Sequence, residues 1–571
     1  MEVKWKVKEG KIIKKRIFPE LEEATEKILT ERGFESEKEL EAFFVPDYEK
    51  DLHDPFLLND MNKAVKRTLT AQENKEKICI FGDFDADGVA SSTLLTDFLR
   101  DELKVEVFCY IPDREKEGYG LNIEAIDYII AQGATLMITV DCGITNVKEV
   151  AYAKKNGLDT IVLDHHNVLG KVPEALAVID PKNPKEEKYP FKELAGVGVT
   201  FKFAQAIAKK SKKISEEQLK WYLDLVAVGT IADCVPLLDE NRTLVKFGLM
   251  VLSKTKRAGF KQLFQNGRMK ISESEFPTAE QVAFQIAPRI NAAGRMKHAS
   301  IAYELLTEGS PAKASKLAKE IEKQNQERQK VTADILKKVK KEIDNLRTIP
   351  KVIIKSSPKW KIGIIGLSAG RLADEYARPV ILLQEKDGIF RGSGRSVPGY
   401  NLVNALKRQS EFLKRFGGHD QAAGLSMLEE DFPKFKKAFE ADVKSKITKK
   451  IVKTIEADVK VSFEEIGHKL CNEILMLEPF GKGNELPILL LEKALVVNKK
   501  LLGNGEKHLK LWLAKNENNA QIVEAIGFGL GEGKGKLKSG DKIDILFHLE
   551  PNNWNGTKSL QLRIVDYRKS K

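Results

Sequence analysis

The sequence predicts an α/β protein of several domains: a parallel-sheet domain, a smaller α/β domain reached through a long helix, and a β-barrel at the carboxyl end. Three observations carry this expectation. Short apolar runs alternate with amphipathic stretches over residues 71–310, as parallel strands joined by right-handed helical crossovers require. A highly charged segment with neither glycine nor internal proline covers 311–346. From residue 453 the pattern turns to short strands separated by Gly/Asn turns. At roughly 100–200 residues per domain, a chain of 571 residues allows three or four such units.

Taken in order, residues 1–70 read as an N-terminal helical segment, through PELEEATEKILTERG, ESEKELEAFFVPD and the start of NDMNKAVKRTLTAQEN. The first α/β domain, 71–310, opens on the strand KICIF and the helix ASSTLLTDFLRDEL. It continues through KVEVFCYIP, NIEAIDYIIAQG, TLMITVDCG, NVKEVAYAKKNG and TIVLDHH, and turns largely helical from about 195 to 265. The charged stretch 311–346 reads as one connecting helix with solvated faces. The second α/β domain, 347–445, runs through KVIIKSS, GRLADEYA, PVILLQEKDGIFRGSGRS and LVNALKRQ. The strands of 453–571 include PILLLEKALVV, HLKLWLAK, IVEAIGFG and KIDILFHLEPNNW.

Composition excludes several classes. No apolar run approaches the roughly 18 residues of a membrane helix, and MEVKWKVKEGK is too charged for a secretory leader. Five scattered cysteines without a CxxC pair point to a reducing compartment and away from a zinc cluster. The expected location is therefore the cytoplasm, with no membrane association. A net charge of +12 favours polyanionic partners, although charge alone does not identify them.

Chemistry concentrates at element ends. In open α/β sheets ligands sit beyond the carboxyl ends of the strands. KICIF runs into Asp83, Asp85 and Asp87; TLMITV into Asp141; TIVL into Asp164, His165 and His166; and VAVGTIA, taken as a fourth strand, into Asp233. A single acid in such a place reads as a helix N-cap, but four acidic ends with a His-His pair exceed what capping explains. Carboxylates with imidazole and no thiolate favour two Mn²⁺ or Mg²⁺ ions over structural zinc. DxDxDG also looks like a calcium loop, yet Thr96 stands where that loop needs its last acid.

GDFDADG, VDCG, LDHHN and GTIAD resemble the four motifs of the DHH phosphoesterases. EGYGL (117–121), LAGVGVTFK (194–202), APRINAAGR (287–295), GSGRS (392–396), FGGHDQAAG (416–424) and LEPFGKGNELP (477–487) resemble its RecJ branch in order along nearly the whole chain. The resemblance implies Asp85, Asp87, Asp141, His165 and Asp233 as metal ligands, with Asp141 as the bridge. Asp83 and His166 then position water or phosphate oxygens. Smaller superfamily members carry a histidine ligand where this chain has Phe81. That supports the branch and leaves the first metal to be completed by Asp83 or water.

The basic motifs add a substrate expectation. Arg114 follows a strand and reads equally as a phosphate contact or a surface arginine. In FRGSGRS, Gly392, Ser393 and Gly394 would offer backbone N–H groups to an anion, flanked by Arg391 and Arg395. Arg289 and Arg295 would line the cleft between the α/β domains, with Asn291 structural. His419 would lie before a helix in the segment resembling a DHH-associated domain. The β-rich tail resembles an OB-fold, with Lys507, His508, Lys510, Trp512 and Trp554 as candidate contacts; Trp512 reads more readily as core. The resemblance implies a 5′→3′ exonuclease degrading single-stranded DNA in recombination and repair. The expected state is a monomer, with a helicase or single-strand-binding protein as partner. DHH oligonucleotide or cyclic-dinucleotide phosphodiesterases resemble only the first two-thirds of the chain. Cdc-type replication scaffolds lack metal acids that are all present here.

Overall fold

The computed structural model describes the chain apart from residues 1–2, 9–16, 169, 273–274, 449–450, 518–520, 532–536, 555–556 and 571, and apart from the side chains of 553–558, Trp554 among them. It divides into two units, Leu52–Ile451 and Met1–Asp51 with Val452–Lys571. The reading of residues 1–70 as helical needs correction at its start: Val3–Val7 is a strand, β1. Helices Glu23–Glu31, Glu37–Phe44 and Met61–Glu73 follow as expected.

Within Leu52–Ile451, strands β2 (Lys77–Gly82), β3 (Val107–Tyr110), β4 (Ala134–Val140), β5 (Asp159–Leu163) and β6 (Ala177–Ile179) form one sheet of order β3-β2-β4-β5-β6. Every pairing in it is parallel. Strands buried on both faces read as continuous apolar runs, and β2 is buried from Ile78 to Gly82. VAVGTIA is not a fourth strand. It lies in the helix Leu223–Ala232, whose residues Leu223–Ile231 are all buried, so no polar stripe reveals a helical period.

The helix Pro311–Asp344 is a single element of 34 residues, nearly the stretch expected. Beyond it, β7 (Ile353–Ser357), β8 (Val380–Lys386), β9 (Ile389–Arg395), β10 (Arg415–Gly418) and β11 (Ala422–Leu428) make a mixed sheet of order β10-β11-β9-β8-β7. Two expectations fail here. Gly392-Ser393-Gly394 is not a loop that cradles an anion but the middle of β9, paired with β8 on one side and β11 on the other. A Cβ on Gly392 would fall 2.4 Å from Leu383, so this glycine is required for close packing. FGGHDQAAG does not lead into a helix either; it is the β10–β11 hairpin, with His419 at its turn.

In the other unit, β12 (Lys453–Ala457) pairs in parallel with β1. Strands β13 (Val459–Val461), β14 (Leu489–Leu502), β15 (His508–Ala514), β16 (Val523–Gly527), β17 (Lys542–Trp554) and β18 (Thr557–Lys569) follow. Five of them run β14-β15-β16-β18-β17, and β17 pairs back onto β14, closing a barrel. Phe18, Ala24, Ile28 and Leu29 share its core with Leu470, Leu509, Leu511 and Phe547. The Trp5 indole N–H donates to Asp566 at 2.9 Å. A cut at residue 453 would therefore divide one core; the boundary that respects it leaves 52–451. Among the described residues, no helix is long and apolar enough to cross a membrane.

Candidate metal centre

Strand order sets where a ligand can sit. The chain leaves β2 towards β3 on one side and returns as β4 on the other, and ligands of open α/β sheets bind beyond the carboxyl ends at such a reversal. β2 runs into Asp83, β4 into Asp141, and the neighbouring β5 into Asp164, His165 and His166. Asp85 caps the helix Ala86–Asp97, its Oδ1 accepting from the N–H groups of Asp87 (2.9 Å) and Gly88 (3.1 Å). Asn291 supports the same turn by accepting from the Ala86 N–H at 3.0 Å. Asp87 accepts from the Gly196 and Val197 N–H groups at 2.8 and 2.9 Å. These open the helix Gly196–Ser211, where a carboxylate is favoured by the dipole. Asp233 enters from the end of Leu223–Ala232 as its C-cap, not from a strand end.

The histidine pair is differentiated by Asp164. This buried carboxylate accepts from the backbone N–H groups of His165 (2.7 Å), His166 (3.1 Å) and Ile144 (2.9 Å), and bonds His166 Nδ1 at 2.8 Å. Burial would raise its pKa, but the His166 hydrogen bond and charge, with the Ile144 N–H, hold it below the ordinary carboxylate value. Burial would lower the pKa of His166, but bonding to Asp164 and the charges of Asp164, Asp233 and Asp83 push it up to about 9. His166 is therefore an imidazolium at neutral pH. His165 is pushed down to about 3 by burial and by the charge of His166, and stays neutral with a lone pair to offer a cation.

The acids crowd together. Burial first, then their mutual repulsion and that of Asp85 and Asp233, pushes Asp83, Asp87 and Asp141 well above ordinary carboxylate values. Among the described residues, Asp83 Oδ1, Asp141 Oδ1 and His165 Nε2 are buried without a hydrogen-bond partner. Yet His165 Nε2 lies 3.2 Å from Asp141 and 3.6 Å from Asp233. Each unsatisfied buried polar atom costs about 1–3 kcal/mol, so three converging on one place call for a ligand. Donor atoms within 4.8 Å of one another form three overlapping groups: Asp83, Asp85 and Asp141; Asp87, His165 and Asp233; and Asp141, His165 and His166. An oxygen-rich set with imidazole suits Mn²⁺ or Mg²⁺, and these residues fit two such ions.

Two glycines make the gathering possible. A Cβ on Gly196 would lie 2.6 Å from Asp141 Oδ1, and one on Gly229 2.7 Å from Asp87 Oδ1. Gly196→Ala must therefore displace Asp141. Disturbing the surroundings of a metal ligand typically costs ten- to a hundredfold in affinity. Titration with Mn²⁺ followed by electron paramagnetic resonance should show a loss of about tenfold or more; unchanged affinity would exclude Asp141 from the metal site.

The basic residues divide. Arg114 lies with its guanidinium 4.6 Å from the Phe84 ring centre; burial lowers its pKa against the opposing charges of Asp83 and Asp85. Arg295 donates to the Gly363 carbonyl at 3.3 Å. It is pushed down to about 10 by burial and by the positive charge of Arg114, against the opposing charge of Asp85, with Arg328 and Arg395 lowering it further. Arg395 donates to Ser393 Oγ and the Gly394 carbonyl, both at 2.8 Å, and Arg328 to Asn325 at 2.9 Å. Among the described residues, Arg114, Arg295, Arg328 and Arg395 have no carboxylate in contact, so they form a guanidinium cluster beside the acids. Arg391 is exposed, and alternation along β9 puts it on the same face as Ser393 and Arg395.

Arg289 does not belong to this cluster. It pairs with Glu322 at 2.7 Å and donates to the Gln285 carbonyl, which corrects its expected role in the cleft. His419 stays in an exposed hairpin turn, with no side-chain contact to the arginines among the described residues. Sequence reading missed Arg328, which the pattern of the long helix presents as one more solvated charge. It also missed Tyr119, 47% exposed, whose hydroxyl lies 3.2 Å from both the Asp141 carbonyl and His166 Nδ1. Tyr119 falls within the EGYGL motif, the one signal that could have found it.

Known proteins match this architecture along its length. Family profiles match residues 77–230 (DHH family, N-terminal domain), 350–445 (DHHA1 domain) and 457–566 (RecJ OB domain). The single-stranded-DNA-specific exonuclease RecJ of Bacillus subtilis is 37% identical over 94% of this chain and 67% of its own length. That of Haemophilus influenzae is 33% identical over 91% of this chain and 92% of its own. The crystal structure of RecJ from Thermus thermophilus in complex with Mn²⁺ superimposes with a TM-score of 0.84 at 29% identity, covering 100% of this chain and 80% of that one. A Mg²⁺ complex from the same organism gives 0.79 at 27% identity, covering 100% and 79%. With these matches spanning both α/β sheets and the barrel, the chain belongs to the RecJ family of metal-dependent DHH nucleases.

Proposed function

We propose that the protein is a 5′→3′ exonuclease that degrades single-stranded DNA in recombination and repair. The observation that carries this reading is the juxtaposition of crowded buried acids with an arginine cluster that has no carboxylate in contact among the described residues, in a chain of this family. Asp85, Asp87, Asp141, His165 and Asp233 would hold two Mn²⁺ or Mg²⁺ ions, with Asp141 shared and Asp83 completing the first ligand set. When bound, such ions lower the pKa of a water and offset charge on the leaving oxygen. The chain's own groups do the rest. His166, charged through Asp164, donates to a phosphate oxygen as negative charge builds there. Arg114, Arg295, Arg328 and Arg395, with Ser393, take the terminal 5′ phosphate and so fix which diester meets the acids. His419 is left as a contact to the strand further along.

The barrel unit grips the strand, a role supported by the RecJ OB domain match over 457–566; that match also counts against a cyclic-dinucleotide phosphodiesterase. We place the enzyme in the cytoplasm as a monomer, with a helicase or single-strand-binding protein presenting the strand. The test uses single- and double-stranded DNA labelled at either end, with Mn²⁺ or EDTA. The expected result is release of the 5′ label first, from single strands only and only with metal. Digestion from a 3′ end with the 5′ end blocked would overturn the polarity.

A further inference from the structure

The outer face of the barrel carries a row of side chains that its core does not use. Along β15, Leu509, Leu511 and Leu513 are buried, while His508, Lys510 and Trp512 alternate outward. Along β16, Val523, Ala525 and Gly527 point inward, and Glu524 and Ile526 outward. The register Leu509↔Gly527 brings Phe528, just past β16, beside His508. The strand order β14-β15-β16-β18-β17 is that of an OB barrel. There the second and third strands and the loop before the second form the face used for oligonucleotides. In this chain those are β15, β16 and the turn that precedes His508.

Two aromatic side chains on this face differ in availability. Trp512 is engaged: its indole N–H donates to Glu524 at 3.1 Å, and Lys510, itself paired with Glu524 at 2.9 Å, lies 5.0 Å from its ring centre. Phe528 is 60% exposed and held in place from one side. The His508 ring meets it edge-on at 5.4 Å and 74°. His508 Nδ1 accepts the N–H of Gly529 at 3.1 Å, tying the imidazole to the turn that bears the phenyl ring. Gly503 closes over the other side of His508, where a Cβ would fall 2.8 Å from Cδ2. An exposed phenyl ring fixed by a buttress, instead of folded onto its own surface, is organised for a flat partner. Lys500 and Lys507 flank the site in sequence and register, and neither makes an ion pair among the described residues.

Resting on the single-strand reading above, we propose that Phe528, buttressed by His508, is the platform on which the barrel stacks a nucleobase of the bound strand, with Lys500 and Lys507 taking the adjoining phosphates. Trp512 is a scaffold residue of the same face. Base–aromatic stacking needs a base but no particular one, and its loss removes no phosphate contact.

The test is equilibrium binding of the full chain, in EDTA, to oligothymidylate and to an abasic strand of equal length. Phe528→Ala should weaken binding to oligothymidylate about five- to a hundredfold, leave the abasic strand within about twofold, and keep the salt slope of the wild type. Phe528→Trp should restore the preference for bases. Lys500→Ala should instead lower the salt slope by about 0.7 on both strands. Equal losses of Phe528→Ala on the two strands, or none on either, would overturn the platform. Hydrolysis of single-stranded DNA by the wild type in Mn²⁺ keeps the two readings apart. If it proceeds while Phe528→Ala binds as the wild type does, the platform alone fails; if the wild type neither cuts nor binds single strands, both fail.

Discussion

Asp141→Ala should abolish hydrolysis while single-strand binding survives. Asp141 stands where the two halves of the acid cluster meet: it groups with Asp83 and Asp85 on one side and with His165 and His166 on the other. A divalent cation supplies several kcal/mol of charge stabilisation, and about 4 kcal/mol corresponds to a thousandfold in rate. The expected loss is therefore at least about a thousandfold in kcat with Mn²⁺. Binding measured by anisotropy in EDTA should hardly change, because the arginines and the barrel are untouched. Asp141 has a φ of 60°, a left-handed conformation that Asp and Asn tolerate better than Ala. Asp141→Asn should reproduce the loss without the backbone strain. Stability should move the other way. Burial and like charges already disfavour the metal-free acids, so Asp141→Asn should melt higher than the wild type in EDTA. It should also lose most of the stabilisation that Mn²⁺ gives the wild type through binding. Turnover above a few per cent in Mn²⁺ would show that the shared ligand lies elsewhere.

Arg395→Ala should lose about ten- to a hundredfold in kcat/KM on a 5′-phosphorylated strand, since a charge-assisted contact contributes roughly 1.5–3 kcal/mol. A strand ending in a 5′ hydroxyl should lose much less, because the contact it forfeits was weaker from the start. The guanidinium is already oriented by Ser393 Oγ and the Gly394 carbonyl, so little ordering remains to be done on binding. Arg395→Lys should not rescue, as an ammonium cannot reproduce a planar two-point contact. Equal losses on both strands would demote Arg395 to general backbone binding. Arg328→Ala, from the neighbouring long helix, should show the same preference on a smaller scale.

Much of the centre is determined by sequence alone, because parallel strands bury both faces and their carboxyl ends must be polar to meet a ligand. Asp83, Asp141 and the Asp164-His165-His166 run are read directly from apolar runs ending in acids. Asp233 was found at the end of the apolar run VAVGTIA and again through its motif, but given the wrong element, since a helix buried all round carries no polar period. Three things required the tertiary structure. Strand β1 is invisible locally because its partner β12 lies some 450 residues away, and a lone five-residue strand has no stability or signature of its own. Gly392-Ser393-Gly394 reads as an anion-binding turn until β8 and β11 are seen to occupy its backbone on both sides; glycine marks close approach but not what approaches. Arg295 and Arg328, finally, come from motif and charged helix alike. What distinguishes them from Arg289 is whether folding brings a carboxylate within reach. Glu322 meets Arg289, whereas four other arginines lie beside the acids with no carboxylate in contact among the described residues, and only the packing of distant elements against one another decides that.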